Sequence, residues 1–155
     1  MHLFGEIKNG ELVLNEAGKF ANECWIEIPN HFPNAVLHEY IIMPNHVHGI
    51  IELVGVAAGA AGAAGAENFL PQPSPPPQPP RQKNEFQKMI PRSIGSIVKG
   101  FKIGVTKWFR LITDVHTVWQ RNYHEHIIRN ERAYHNISRY IINNPANWKE
   151  DKFRN

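Results

Sequence analysis

AVLHEYIIMPNHVHGIIELV (residues 35–54) is the stretch of sequence that decides the fold. It contains two apolar runs rich in β-branched residues, separated by Pro44 and Asn45. Apolar runs on either side of a turn dipeptide are typical of two antiparallel core strands joined by a tight turn. The stretch therefore predicts a core hairpin whose second strand begins close to His46.

The second run carries a pair of histidines, His46 and His48, on either side of Val47. On a strand, residues i and i+2 point to the same face, so both imidazoles lie side by side. Two polar rings on one face of an apolar strand require partners. Two such imidazoles can chelate one metal ion; hydrogen bonds to other groups are the alternative.

The residues before the core hairpin predict a smaller hairpin and a helix. An Asn9-Gly10 turn lies between LFGEI and ELVLN, which is a strong hairpin signal. Asn15 is a predicted N-cap for a helix that runs to about residue 28, and Pro29 to Pro33 end it.

The residues after the core hairpin predict two helices with a strand between them. Residues 92–110 place apolar side chains at helical spacing among lysines and arginines, as in an amphipathic basic helix. VWQRNYHEHIIR (118–129) is predicted to be a strand of mixed polarity. Asn130 is the predicted N-cap of a final helix, ERAYHNISRYIINN, which Pro145 limits.

A low-complexity segment divides the chain. GVAAGAAGAAGA (55–66) and PQPSPPPQPP (71–80) cannot pack into a core, and with the polar residues up to about Asn84 they predict a linker or disordered insertion. A proline-rich ligand for a peptide-binding partner is the alternative. We expect residues 1–54 and 85–155 to be two parts of one domain, with residues 55–84 as the linker, because each part alone is too small to bury much surface.

Charge is distributed unevenly along the chain. Residues 1–80 hold two lysines against eight carboxylates, a net −6, whereas residues 81–155 hold fifteen basic against six acidic side chains, a net +9. A +9 half attracts polyanions, and nucleic acid is the usual one. The single cysteine, Cys24, excludes a disulfide scaffold, and no apolar run approaches the ~18 residues of a membrane span. These features predict a cytoplasmic protein with no membrane partner.

Tyr140 and Asn144 form a second chemical feature, on the last predicted helix. Their i, i+4 spacing places them on one face, one turn apart. A phenol can attack phosphorus, and an amide oxygen can be a third ligand beside the two histidines for Mg²⁺ or Mn²⁺. A half-buried core tyrosine and a helix-terminal asparagine are the alternative.

Three motifs occur in a fixed order: MPNHVHGII (43–51), VWQRNYHEHIIRNE (118–131) and YIINNP (140–145). In this order they resemble the single-tyrosine HUH transposases, in particular the REP-associated tyrosine transposases of bacteria. His46-Val47-His48 matches the His–hydrophobic–His motif of that family. Tyr140 matches the nucleophile that begins its Tyr-Ile-x-x-Asn-Pro motif, and Asn144 matches the ligand position at i+4.

The resemblance implies a ferredoxin-like α+β fold, with an antiparallel sheet that carries the histidines and a helix that presents the tyrosine. It implies nicking and rejoining of single-stranded or hairpin DNA at a palindromic repeat, through a 5′-phosphotyrosine and with Mg²⁺ or Mn²⁺. Relatives build the site within one chain or share it across a homodimer. Family members begin earlier, with an inner apolar strand, so we expect this chain to lack the family's first strand.

The remaining site residues concern DNA. Lys99, Lys102, Arg121 and Arg129 are predicted phosphate contacts, with ordinary surface charge as the alternative. Tyr123 and Trp119 are candidates for stacking on unpaired bases, as is Trp108, for which core packing is favoured. Three other functions stay open: a catalytically inactive hairpin-DNA-binding protein, a metal-dependent phosphodiesterase that uses water, and an interaction protein acting through its proline-rich segment.

Overall fold

A computed structural model describes residues 2–55 and 91–148 of the chain. The elements follow in the order β1 (Gly5–Lys8), β2 (Glu11–Leu14), α1 (Glu16–Ile26), α2 (Ile28–His31), β3 (Ala35–Ile42), β4 (Val47–Leu53), α3 (Ile94–Ile112) and α4 (Glu131–Asn143). Helices pack against two small antiparallel sheets, β1–β2 and β3–β4. The predicted α+β class is confirmed. Apart from Gly55, the predicted linker lies outside the described residues.

The first hairpin forms where the Asn-Gly dipeptide predicts it. Strands β1 and β2 pair in a register that places Lys8 opposite Glu11, which leaves a two-residue loop. Asn9 and Gly10 both have positive φ, 54° and 82°. Asparagine and glycine tolerate this region better than other residues, and a loop of this kind matches the twist of the flanking strands.

The core hairpin β3–β4 is also confirmed, and it contains one irregularity. Ile42 pairs with Val47, Ile41 with His48 and Tyr40 with Gly49. The register shifts between Leu37 and Tyr40, so His38 and Glu39 lie in a β-bulge. A bulge redirects the side chains that it contains.

Asparagine and serine caps set the helix starts. Asn15, Ser93 and Asn130 each have extended backbone, and each side chain accepts a hydrogen bond from an amide in the first turn of its helix. The first helix ends at Ile26, earlier than predicted, and Pro29 lies in the first turn of the short α2, where a missing amide costs little. Within residues 2–55 and 91–148, no helix combines the length and apolar character needed to cross a membrane.

The two faces of the core hairpin pack against different helices. On one face, Trp25 of α1 stacks on Tyr40 at a centroid distance of 5.7 Å and contacts Phe101 of α3 edge-on at 5.2 Å. Gly49 allows this, because a Cβ there would overlap the Trp25 ring. On the other face, His48 contacts Tyr140 of α4. The sheet therefore separates α1 and α3 from α4.

One hydrophobic core joins the residues before and after the Ala/Gly/Pro-rich segment. Phe4 packs edge-on against Phe109, with ring centroids 6.0 Å apart, and lies 5.3 Å from Trp119. The buried side chains of α3 recur at helical spacing on its inner face, and they are Ile97, Phe101, Val105 and Phe109.

The strand prediction for residues 118–129 is wrong. No helix or strand occurs between Thr113 and Asn130. Trp119 and Val118 pack against the core, but residues 120–127 are exposed. A strand needs a partner for its backbone groups, and β3 and β4 pair only with each other among the described residues. The alternating polarity of residues 118–129 is typical of a strand, but it does not show that another strand is available to pair with them.

Candidate active site

The histidine pair lies at the start of β4, as the i, i+2 spacing predicts. The Nε2 atoms of His46 and His48 are 3.0 Å apart, and the two ring centroids are separated by 4.6 Å. His48 points to the α4 face because its neighbour Gly49 faces Trp25. The Nε2 atoms of the two rings are therefore close enough to bind the same ion.

The contact between His46 and Asn45 determines which ring nitrogen of His46 is available to bind an ion. Its Nδ1 lies 2.7 Å from Oδ1 of Asn45. An amide oxygen can only accept, so Nδ1 is the donor and Nε2 is the ring nitrogen that is left to bind an ion. The ring of His46 also stacks on Trp148, with centroids 6.1 Å apart. An outer hydrogen bond of this kind commonly orients a metal-binding histidine.

Tyr140 lies beside this pair. Its ring contacts that of His48 edge-on at a centroid distance of 5.3 Å. It is 49% exposed, so a substrate has access to the phenol. The sequence prediction that helix α4 brings Tyr140 to the histidine strand is thus consistent with the contact between these two rings.

The side chain of Asn144 is buried. It is 3% exposed, and neither Oδ1 nor Nδ2 of its side chain has a partner among the described residues. Tyr140, Asn144 and Trp148 follow each other at intervals of four residues, and the first and last contact the histidine pair. Asn144 lies midway between them and has helical backbone angles, so we expect its side chain on the same side. A buried amide left unpaired costs about 1–3 kcal/mol, which a ligand to its oxygen would offset.

These donors fit a divalent cation. Two ligands about 2.1 Å from one ion and 90° apart, as in octahedral coordination, are themselves about 3.0 Å apart. The Nε2 atoms have this separation. No group of three or more His, Cys, Asp or Glu side chains is placed to hold a metal in residues 2–55 and 91–148. An amide oxygen was predicted as the third ligand, and this role of Asn144 stays a prediction.

Replacing Asn144 by Leu tests whether this amide is retained for a ligand. We expect Asn144→Leu to stabilise the metal-free protein by about 1 kcal/mol, because an apolar side chain of similar shape removes an unpaired buried group. We expect the same variant to lose most of the stabilisation that Mn²⁺ gives. Urea unfolding with EDTA and with Mn²⁺ measures both; Asn147→Leu, on an exposed position, is the control. A destabilised variant with an unchanged response to Mn²⁺ would contradict this role.

A polar network fastens α4 to the sheet and was not predicted. Tyr134 and Ser138 of α4 donate hydrogen bonds of 2.8 Å and 3.1 Å to the same carboxylate oxygen of Glu39. Beside it, His38 Nδ1 lies 3.2 Å from the Tyr134 hydroxyl, and His38 Nε2 donates to Glu52 at 2.9 Å. Both β3 residues lie in the bulge, and this places them against α4.

The network changes the acidity of its members. The hydrogen bond from Tyr134, followed by the backbone amide of Glu39, holds the pKa of the Glu39 carboxyl below its ordinary value of 4.5. The hydrogen bond to Glu39, together with burial, raises the pKa of the Tyr134 phenol. Glu39 is therefore the charged acceptor at neutral pH, and Tyr134 is the neutral donor.

Stability at acid pH reports this network. Because its folded-state pKa is lowered, ionised Glu39 stabilises the fold above pH 4.5, and this contribution is lost as the pH falls through the folded-state pKa. We expect Glu39→Gln to cost about 1 kcal/mol near pH 7 and less near about pH 3.5. Urea unfolding at both pH values measures this, with Glu11→Gln at an exposed position of β2 as control. An equal loss at both pH values would contradict it.

The four residues that are predicted to contact DNA do not all lie together. Lys99, Lys102 and Arg121 line one groove on α3, whereas Arg129 is exposed and is not among its lining residues. Lys107 and Arg110, which the sequence indicated only as part of a basic helix, line the same groove. A role of these cations in DNA binding stays a prediction.

The three aromatic candidates for base stacking also separate. Trp108 stacks on Phe20 at 5.7 Å, and Trp119 packs against Phe4 at 5.3 Å, so both serve the core. Tyr123 is 42% exposed and lines the groove, where its ring is accessible.

The chain is 43% identical over 150 residues to an uncharacterized protein of Haemophilus influenzae (strain ATCC 51907 / DSM 11121 / KW20 / Rd). The match covers 97% of this chain and 76% of that protein. No family model matches the chain, and no solved structure matches it significantly.

Proposed function

We propose that this chain is a metal-dependent transposase that nicks single-stranded DNA and transfers the strand through Tyr140. The chain belongs to the same family as the Haemophilus influenzae protein. One observation carries the proposal. The half-exposed ring of Tyr140 contacts the ring of His48 at a centroid distance of 5.3 Å. The Nε2 atoms of His48 and His46 are 3.0 Å apart. A nucleophile next to two histidines that can hold a metal ion is an arrangement suited to metal-assisted phosphodiester transfer.

Tyr140 is the nucleophile in this proposal. Its Oη forms a bond to the phosphorus while the bond from phosphorus to the 3′ oxygen breaks. The phenol proton is lost to solvent, and the released 3′ oxygen takes up a proton, so charge and atoms balance. The 5′ phosphate stays on Tyr140 as an ester. Attack by a 3′-hydroxyl on that ester reverses the step and joins two strands.

The other site residues bind and orient. His46, His48 and Asn144 would hold Mg²⁺ or Mn²⁺, which when bound polarises a phosphodiester and stabilises the negative charge that develops on it. Imidazole ligands favour Mn²⁺ over Mg²⁺. Asn45 keeps the lone pair of His46 Nε2 directed into the site by accepting a hydrogen bond from Nδ1 at 2.7 Å. Trp148 restrains the ring plane of His46 by stacking.

Two further observations support DNA as the substrate. The net charge of +9 in residues 81–155 attracts a polyanion to the half that carries Tyr140. The order of the three motifs resembles that of transposases that act on hairpin DNA. Contact of Tyr140 with His48 within one chain supports a site that needs no second copy.

A labelled single-stranded hairpin oligonucleotide tests the proposal. In the presence of Mn²⁺ we expect a denaturation-resistant adduct between the protein and the fragment that bears the 5′ phosphate, with a free 3′-hydroxyl on the other fragment. Cleavage without an adduct would instead indicate a phosphodiesterase that uses water. Binding without cleavage would indicate an inactive hairpin-DNA-binding protein.

A further inference from the structure

A basic groove lies along α3, away from the histidines. It has a volume of about 580 Å³ and is formed by one side of α3 together with Arg121 and Tyr123. Five cationic side chains line it, and none of its lining residues is acidic; the cations are Lys99, Lys102, Lys107, Arg110 and Arg121. Its lining also includes the apolar side chains of Val98 and exposed Ile103.

Lys102 has a different role from the other four cations. Its ammonium donates to the backbone carbonyls of Gln120 and Asn122 at 3.2 Å and 3.4 Å. The indole of Trp119 donates to the carbonyl of Lys102 at 3.2 Å, and the ammonium lies 5.8 Å from the centre of that ring. Residues 119–122 are therefore tied to α3, although they form no helix or strand. Lys102 is a positioning residue, and it holds Arg121 between the two carbonyls that it binds.

The groove and the candidate active site lie on different sides of the core hairpin. Helix α3 packs with α1 on the face covered by Trp25, whereas Tyr140 contacts His48 on the opposite face. A chain bound in the groove therefore does not occupy the space beside Tyr140. DNA held there would be a segment other than the phosphodiester that is cleaved.

We infer that this groove binds an unpaired strand of DNA, with Lys99, Lys107, Arg110 and Arg121 on phosphates and Tyr123 stacked on a base. Phosphate neutralisation and base stacking are the two means by which proteins bind single strands. The exposed ring of Tyr123 favours an unpaired strand, because the bases of a duplex are already stacked on one another and are not free to stack on this ring. The choice of DNA as the ligand rests on the proposed function. The existence of the basic groove does not depend on that function.

Fluorescence anisotropy of a labelled, unstructured oligonucleotide, in EDTA so that no cleavage occurs, tests the inference. Four phosphate contacts predict a slope of about −3 for the logarithm of affinity against that of salt concentration. We expect Lys107→Glu/Arg121→Glu to weaken binding about tenfold or more and to make that slope shallower. We expect Tyr123→Ala to weaken binding about tenfold with an unchanged slope. Duplex of the same sequence should bind more weakly than the single strand.

The matched control is Lys8→Glu/Lys19→Glu, which changes net charge equally at exposed positions outside the groove. An equal loss of affinity in this control, no loss in the groove variants, or a preference for duplex would overturn the inference. Thermal unfolding confirms that each variant is folded. Adduct formation by the wild type together with normal binding by the groove variants would refute the groove alone. Groove-dependent binding without any adduct would refute the proposed chemistry alone.

Discussion

Tyr140→Phe is expected to reduce formation of the protein–DNA adduct by at least about a thousandfold and to leave DNA affinity within about twofold of the wild type. The substitution removes one oxygen, the atom that forms the covalent bond. It keeps the ring that contacts His48 at 5.3 Å, so the packing of α4 is retained. A denaturing gel of the reaction with labelled hairpin DNA and Mn²⁺ measures the adduct, and anisotropy measures affinity.

Tyr40→Phe is the matched control for this experiment. It also removes one phenolic oxygen, which donates to Asn22 at 3.0 Å on the face of the hairpin away from Tyr140. We expect this variant to form the adduct at nearly the wild-type rate. If Tyr140→Phe still cleaved DNA at the rate of the control, Tyr140 would not be the nucleophile and water would replace it.

His48→Ala is expected to remove the second essential component. We expect Mn²⁺ to raise the thermal unfolding midpoint of the wild type by several degrees, because a ligand that binds only the folded state stabilises it. His48→Ala should show almost no such shift, and its DNA cleavage should fall by about a hundredfold or more. The thermal shift needs no DNA, so it tests the metal site separately from the chemistry.

His116→Ala is the control for His48→Ala, because His116 is exposed and lies in the segment between α3 and α4. It should keep both the response to Mn²⁺ and the cleavage. A wild-type protein whose unfolding midpoint is the same in Mn²⁺ and in EDTA would contradict the proposed ligand set. In that case the 3.0 Å approach of the two Nε2 atoms would be a hydrogen bond between the rings.

The parts of the fold that the sequence predicted well depend on neighbouring residues. Asn15 and Asn130 cap the helices that follow them, and Asn9-Gly10 forms the turn between β1 and β2. In each case a short polar side chain or a glycine has one favourable use at that position. The i, i+2 histidines and the i, i+4 spacing of Tyr140 and Asn144 follow from the same local geometry.

The features that the sequence did not predict depend on contacts between residues that are far apart along the chain. The polarity of residues 118–129 resembles that of a strand, but no described strand pairs with them. Nothing in the sequence indicated that the ammonium of Lys102, a predicted DNA contact, also donates to the carbonyls of Gln120 and Asn122. Glu39 had no signal at all, because the bulge that directs it towards Tyr134 is a property of the paired strands.

The shared placement of Tyr140 and Asn144 on α4 has a mechanical consequence. The candidate site has two halves: one hairpin carries the histidines, and helix α4 carries the phenol and, at its C-cap, the amide. One added residue inside α4 before Tyr140 would turn that whole half by about 100° and shift it by about 1.5 Å, so both groups would leave together. One added residue among residues 113–117 would be absorbed before the helix begins. The length of α4 is therefore as much a part of the site's design as the identity of its side chains.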